Sequence, residues 1–227
     1  MGEKIIVFAP HPDDETIGCG GTILKKAKEG YEVTIVIMTD GRYVFSSCLG
    51  INVDPTPAEV KAIRKEEVVR AAARLAVPKR NLNFLDFEDG SLWQNKEEVE
   101  RRVQEILEKE CPTEVYFPYR KDCHIDHRVA NRIVSDSVAR IISSASKYMY
   151  SIMRKYSRVA PLNDRLLNVF RHNMIVVDIS EFLPLKRAAL EEFRSQLEIV
   201  SKTQKRAIIL PARLRRHLRD KEIFYVK

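Results

Sequence analysis

Residues His11-Pro12-Asp13-Asp14-Glu15 set one imidazole and three carboxylates side by side, directly after the apolar run Ile5-Ile6-Val7-Phe8. Like charges this close are costly unless a cation sits among them, and a divalent metal answers that need. A second cluster, Asp122 followed by His124-Ile125-Asp126-His127, adds two imidazoles and two carboxylates. Of the five histidines in the chain, three fall in these two clusters. A hydrolytic zinc site wants three N or O ligands and one open position for water. His11, one of Asp13 and Asp14, and one of His124 and His127 supply that set. The spare carboxylate is then free as a general base, and the spare histidine can polarise a carbonyl or protonate a leaving group. Asp126 can hold an imidazole in one tautomer. His172 and His217 lack comparable neighbours and read as structural or surface, although His172, in Arg171-His172-Asn173, could approach a ligand.

These clusters need strands to carry them. Lys4–Ala9 reads as a short buried strand, and Gly18-Cys19-Gly20-Gly21 as the opening of a helix from about Thr22 to Glu29, stopped by Gly30. Glu32–Thr39 is a second run rich in β-branched residues. A long helix is expected over Ala58–Ala76, a third strand over Asn81–Asp86, a helix over Lys96–Glu110, a fourth strand over Thr113–Phe117 and a helix from the second cluster to about Ser144. Strands near Met149–Met153 and Met174–Ile179 and a helix over Leu183–Val200 complete the reading. Alternating strands and helices imply an α/β, Rossmann-like three-layer fold with a mostly parallel sheet and a less regular C-terminal part. Ligands of such sheets bind outside the carboxyl ends of the strands. His11–Glu15, Asp40-Gly41-Arg42, Asp86–Gly90 and Tyr119–His127 all follow strands at that edge.

The composition, 44% hydrophobic and 31% charged over 227 residues, is that of a globular chain able to bury a core as one domain, residues 1–227. No apolar stretch approaches the roughly 18 residues that span a bilayer, and the start of the chain has no signal pattern, so the expected location is cytoplasmic. Cys19, Cys48, Cys111 and Cys123 form no C-x-x-C pair, which fits reduced thiols. Cys123, beside His124, could be a ligand or nucleophile, but a small buried apolar role is preferred. The net charge of +7 is concentrated in the second half, most densely over Lys202–Lys221. Attraction to an anionic substrate, nucleic acid or lipid headgroups is one reading. A solvated surface of a heat-adapted protein, rich in Lys, Arg and Glu and poor in Gln, is preferred, because no aromatic interleaving supports nucleic-acid binding.

Gly18-x-Gly20-Gly21 hints at a dinucleotide turn, but the glycines lie too far past the strand and three acids stand where a pyrophosphate would approach. No G-x-S-x-G elbow or phosphate-binding P-loop pattern is present. The two clusters do resemble the LmbE/PIG-L family of zinc-dependent de-N-acetylases, whose hallmarks are [PA]-H-P-D-D-E after the first strand and a later H-x-D-H. The similarity extends to Gly18–Thr22, Thr39–Gly41, Arg64 with Glu67, and Phe84–Gly90. It continues more loosely through Val177–Ser180, Lys186, Ala189, Ser195-Gln196 and Glu222-Ile223-Phe224. The loop from Tyr43 to Pro57 looks specific to a subgroup.

The resemblance implies that His11, Asp14 and His127 bind the metal, usually Zn2+, with another divalent metal as an alternative. It implies Asp13 as the base that activates water, His124 as the group that stabilises the oxyanion, and Asp126 as the carboxylate orienting a histidine. Arg42, in the loop after the second strand, and Arg64, on the long helix, are expected to border the substrate. The implied partner is an N-acetylated amino-sugar substrate, as for diacetylchitobiose deacetylases, with no nucleic acid and with a homo-oligomer compatible. An amidase acting on a larger N-acyl glucosamine conjugate and a non-catalytic metal-binding module are the rival readings.

Overall fold

Strand β1 (Lys4–Ala9) alternates Ile5, Val7 and Ala9 to one face of a sheet with Ile6 and Phe8 to the other, all with no solvent exposure. A strand apolar on both faces must be covered on both, which places it at the centre of a parallel sheet. The computed structural model describes residues 2–152 and 174–226. In chain order the elements after β1 are α1 (Asp14–Lys28), β2 (Glu32–Thr39), α2 (Val44–Leu49), α3 (Pro57–Arg74), β3 (Leu82–Phe87), α4 (Lys96–Glu110), β4 (Glu114–Pro118), α5 (Ile125–Ile141), β5 (Ser146–Tyr150), β6 (Met174–Asp178), α6 (Leu183–Leu190), α7 (Arg194–Leu197), α8 (Pro211–Leu214) and β7 (Lys221–Tyr225).

Among the described residues a seven-stranded sheet runs β3-β2-β1-β4-β5-β7-β6, parallel through its first five strands and antiparallel at β7 and β6. One core packs Ile5, Val7 and Ile35 against Ile23 of α1, Val68 and Ala72 of α3 and Ala189 of α6. The other packs Ile6, Phe8 and Val36 against Val103 and Leu107 of α4 and Ile133 and Val134 of α5. The expected α/β, three-layer, mostly parallel architecture is thus present. Strand order reverses between β1 and β4, so the loops after these two strands part and leave a crevice between them. The strand ends are tied into one rim: Thr39 N donates to Pro10 O (2.8 Å), Asp40 N to Phe87 O (2.8 Å) and Tyr119 N to Tyr150 O (2.6 Å). Among the described residues, no helix is long and apolar enough to cross a membrane.

Several boundaries differ from the sequence reading. Helix α1 starts at Asp14, not Thr22, so the glycines lie within it. They are there for close approach: a Cβ at Gly21 would overlap the Ile179 side chain. The helix expected over Leu183–Val200 breaks after Leu190, because Phe193 turns into the core and Ser195 donates its N–H and hydroxyl to buried Glu67 of α3 (both 2.7 Å). The fifth strand is Ser146–Tyr150 rather than Met149–Met153, of which Met153 lies outside the described residues, as does the Arg171-His172-Asn173 segment. Strand β7 and helices α2 and α8 carry no sequence expectation.

The C-terminal strand also reaches into α1. Glu222 of β7 accepts the N–H groups of Gly21 (2.9 Å) and Thr22 (2.8 Å), while Lys186 donates to Ile17 O (3.0 Å) and pairs with Glu222 (2.6 Å). Lys186 and Glu222 are 1% and 5% exposed, so this is a buried ion pair whose partners cannot be removed singly without stranding a charge. Two outcomes are expected in denaturant titrations. Gly21→Ala destabilises by about 1–3 kcal/mol, since its methyl has no space beside Ile179. Lys186→Met destabilises by about 3–5 kcal/mol, since Glu222 is left buried and unpaired.

Candidate active site

The turn after β1 is folded by its own side chains. Asp14 Oδ2 accepts the His11 N–H (2.9 Å) and also lies 3.2 Å from His11 Nδ1. Asp13 adopts φ 112°, outside the usual range for a residue with a side chain, and its carbonyl accepts the Ile17 N–H (2.9 Å) to begin α1. Helix α5 begins at the other side of the crevice, with His124 as its N-cap and His127 in its first turn.

The crevice brings three donor atoms together: His11 Nδ1 to Asp14 Oδ2 is 3.2 Å, His11 Nδ1 to His127 Nε2 is 3.2 Å, and His127 Nε2 to Asp14 Oδ2 is 3.0 Å. Three N/O donors each about 2.0–2.1 Å from one tetrahedral ion lie roughly 3.3 Å apart, so this triangle matches one face of such a site. Two looser groups overlap it, His11 with His124 and His127, and His11 with Asp89, His124 and Asp126, each with donor atoms within 4.8 Å of one another. The tighter triangle with Asp14 fits a single ion better. Its electrostatics agree. Burial opposes charge on His11, yet the hydrogen bonds its ring donates to Asp126, Asp14 and Asp89 raise its proton affinity well above the ordinary value. Burial likewise opposes charge on His127, but Asp14 and Asp122 raise it to about 9. Burial alone would raise Asp14; His127 and His11 instead hold it well below the usual carboxylate range. The carboxylates therefore draw positive charge into the triangle, which is the demand a divalent ion meets.

Outer carboxylates flank both rings. Asp126, with no solvent exposure, lies 3.3 Å from His11 Nε2 and accepts the N–H groups of Gly90 (2.8 Å) and Leu92 (3.3 Å). Asp89 Oδ1 lies 3.3 Å from the same His11 nitrogen, and Asp122 Oδ1 lies 3.3 Å from His127 Nδ1. Burial opposes ionisation of Asp89, but the His11 hydrogen bond brings it down to about 2. His124 Nδ1 accepts the Asp126 N–H (3.2 Å), so the proton of its neutral ring sits on Nε2. Burial, and then repulsion from His11 and His127, lowers its proton affinity and favours that neutral ring.

Asp13 lies at the same cavity, paired with Arg64 (3.2 Å), and burial raises it to about 7 against the pull of Arg64. Glu15 beneath it accepts the Asp13 N–H (3.1 Å) and the Thr16 hydroxyl (2.7 Å), and is also pushed up to about 7 by burial.

The cavity, of about 170 Å³, is lined by His11, Asp13, Asp14, His124 and His127, with Arg64 at its wall. The Arg64 guanidinium is committed to Pro12 O, Gly41 O (3.1 Å) and Asp13, and the residue is 2% exposed. Arg42 is not brought to this cavity; Asp40 holds its Nε (2.8 Å) and Nη2 (2.5 Å). Sequence reasoning passed over Asp89, for which the Phe84–Gly90 similarity was the available signal. It also read His217 as structural or surface, whereas that ring lines the cavity with Ile208, Ile209 and Arg213. Removing the carboxylate charge that orients His11, by Asp126→Asn, should weaken divalent-metal affinity by about 10–100-fold, measured by competition with a chromogenic chelator.

Comparison with known proteins agrees with this geometry. Residues 6–138 match the family described as PIG-L: GlcNAc-PI de-N-acetylase. The probable N-acetyl-alpha-D-glucosaminyl L-malate deacetylase 2 of Bacillus cereus is 28% identical over 200 residues, covering 87% of this chain and 86% of that protein. The 4-oxalmesaconate hydratase of Pseudomonas putida is 28% identical over 147 residues, covering 64% and 55%. The structure of N,N'-diacetylchitobiose deacetylase from Pyrococcus horikoshii superposes with a TM-score of 0.68 at 29% identity, over 86% of this chain and 70% of that one. With its family match spanning more than half of its length and both acidic–histidine clusters inside it, the chain belongs to the PIG-L de-N-acetylase family.

Proposed function

We propose that the protein is a metal-dependent hydrolase that removes the N-acetyl group from an N-acetylglucosamine conjugate. The carrying observation is the His11–Asp14–His127 triangle, with Asp13 and His124 on the same cavity. His11 Nδ1, Asp14 Oδ2 and His127 Nε2 would hold the metal, and two imidazoles with one carboxylate suit Zn2+. When bound, the ion supplies Lewis acidity and lowers the pKa of water toward about 7.

The chain's own groups do the rest. Asp13 takes the proton of the attacking water as its oxygen adds to the acetamido carbonyl carbon. His124 Nε2–H donates to the carbonyl oxygen as negative charge develops there. When the C–N bond breaks, the proton on Asp13 passes to the departing nitrogen, releasing acetate and the free amino sugar. Arg64 positions Asp13, with both terminal guanidinium nitrogens held by Gly41 O, Pro12 O and the Asp13 carboxylate. The clamp from Glu222 back to Gly21 supports treating residues 1–227 as one catalytic unit. Four free cysteines support a reducing, cytoplasmic location.

The apolar part of the wall, Ile17, Val44, Ile152, Ile208, Ile209 and Leu214, favours a second reading in which the acyl group is longer than acetyl. Rates on N-acetyl, N-butyryl and N-octanoyl glucosamine rank the two readings directly. For the deacetylase reading, purified protein should contain one tightly held divalent ion and release acetate from N-acetylglucosamine glycosides. A hydratase would consume an unsaturated acid and release none. Asp13→Asn should lower kcat by about 10²–10⁴ with metal content kept; a loss of only a few-fold would remove Asp13 from the role of base. His124→Ala should lower kcat by about 10²–10³, as expected for one oxyanion donor.

A further inference from the structure

Beside the metal-site cavity lies a second and larger one, of about 890 Å³, and the two share Ile17, Ile152, Arg213 and His217 in their walls. Arg213, Arg216, Arg219 and Lys221 line the larger cavity. Successive tight turns, Arg213 N to Leu210 O (2.8 Å), Arg216 N to Arg213 O (3.1 Å) and His217 N to Leu214 O (2.9 Å), bring Arg213 and Arg216 to one side of the segment. The carboxylate on this wall, Glu222, is buried and committed to Lys186, Gly21 and Thr22. Arg213, Arg216 and Arg219 line one cavity wall, whereas some exposed arginines elsewhere have carboxylate partners, as Arg101 with Glu98, Arg140 with Glu100 and Arg194 with Glu198. Among the described residues, Arg213, Arg216 and Arg219 have none within ion-pair distance. His217, between the two cavities, reports the resulting field: burial, then Lys186 and the three arginines, push its proton affinity down to about 4.

Repelling cations around a concave wall are unfavourable unless an anion joins them, and a concave wall focuses their potential. Guanidinium groups are suited to bidentate contact with phosphate or carboxylate. Because the wall is continuous with the metal-site cavity, one molecule can occupy both. We propose that the second cavity is an anion subsite, in which Arg213, Arg216 and Arg219 receive a phosphate or carboxylate carried by the part of the substrate beyond the acetamido sugar. The inference rests on the deacetylase reading for the sugar, but the subsite has its own readout in binding.

The test uses three matched N-acetylglucosamine glycosides: a neutral methyl glycoside, one bearing a carboxylate and one bearing a phosphate. Binding is measured by calorimetry on Asp13→Asn protein, and acetate release on the parent protein. At least one anionic glycoside should bind about tenfold more tightly than the neutral one, with the advantage shrinking between low and high salt. The stronger of the two anions identifies the source. Arg216→Gln/Arg219→Gln should cut the anionic-to-neutral ratio about tenfold, acting through KM, whereas Arg101→Gln, which also removes a surface charge, leaves the ratio alone. A ratio near one, a ratio unmoved by the double substitution, or no binding of either anionic glycoside overturns the subsite. Arginine-dependent binding without acetate release from any glycoside leaves the subsite standing and overturns the deacetylase reading.

Discussion

Five carboxylates, Asp13, Asp14, Glu15, Asp122 and Asp126, are at most 8% exposed around one crevice, and Asp89 stands beside them. Taking each anion out of water costs several kcal/mol, and the mutual repulsion of neighbours adds to that. The fold meets this cost in three separate ways. Arg64 gives Asp13 a fixed cation, burial raises the proton affinity of Glu15, and Asp14 draws positive charge onto His11 and His127. Only the last leaves room for an exchangeable cation. The triangle is thus where the proteins of this arrangement can place an ion without stranding another buried charge.

Holding that triangle depends on where α1 lies. Its N-terminus carries Asp14 and its glycine segment lies against Ile179, so the helix sits closer to β6 and α6 than a side chain at Gly21 would allow. Glycine inside a helix is destabilising by about 1 kcal/mol relative to alanine. Here the close approach lets Glu222 and Lys186 reach the helix backbone at Gly21, Thr22 and Ile17. A strand at the far end of the sequence thereby fixes the helix that carries the first cluster.

That coupling also explains what the sequence could and could not reveal. Strands β1, β2 and β4 were legible because buried parallel strands are continuous apolar runs, and the two clusters stood out because histidine is scarce and both follow strands. The start of α1 was misplaced because Asp13-Asp14-Glu15 looks like a loop, and the glycine run looks like a breaker, unless their tertiary partners are known. The break near Phe193 had the same origin, since Glu67 and Ser195 lie far apart in sequence. Arg42 and Arg64 illustrate the limit for charged side chains. Their types suit an anionic or sugar ligand, but Asp40 holds one, and backbone carbonyls with Asp13 hold the other. Spacing cannot distinguish a free guanidinium from an engaged one.

Neighbouring acids gave the sequence its sharpest ambiguity, and the backbone offers a physical way to separate them. Two successive residues in a regular helix point about 100° apart and share similar surroundings. Asp13 instead takes φ 112° while Asp14 enters the helix, so one carboxylate meets Arg64 and the other meets the histidines. A non-glycine residue in so sparsely populated a conformation costs about 1–3 kcal/mol and persists only where its surroundings over-determine it. The surroundings here are explicit. Arg64 binds Asp13, Pro12 O and Gly41 O together, and Gly41, at φ 62°, has no Cβ to overlap that guanidinium. The T-D-G segment after β2 and the arginine on α3 are therefore joined to the first cluster by one constraint: together they hold Asp13 in a conformation that pairs its carboxylate with Arg64 at the cavity wall and leaves Asp14 in the triangle with the two histidines.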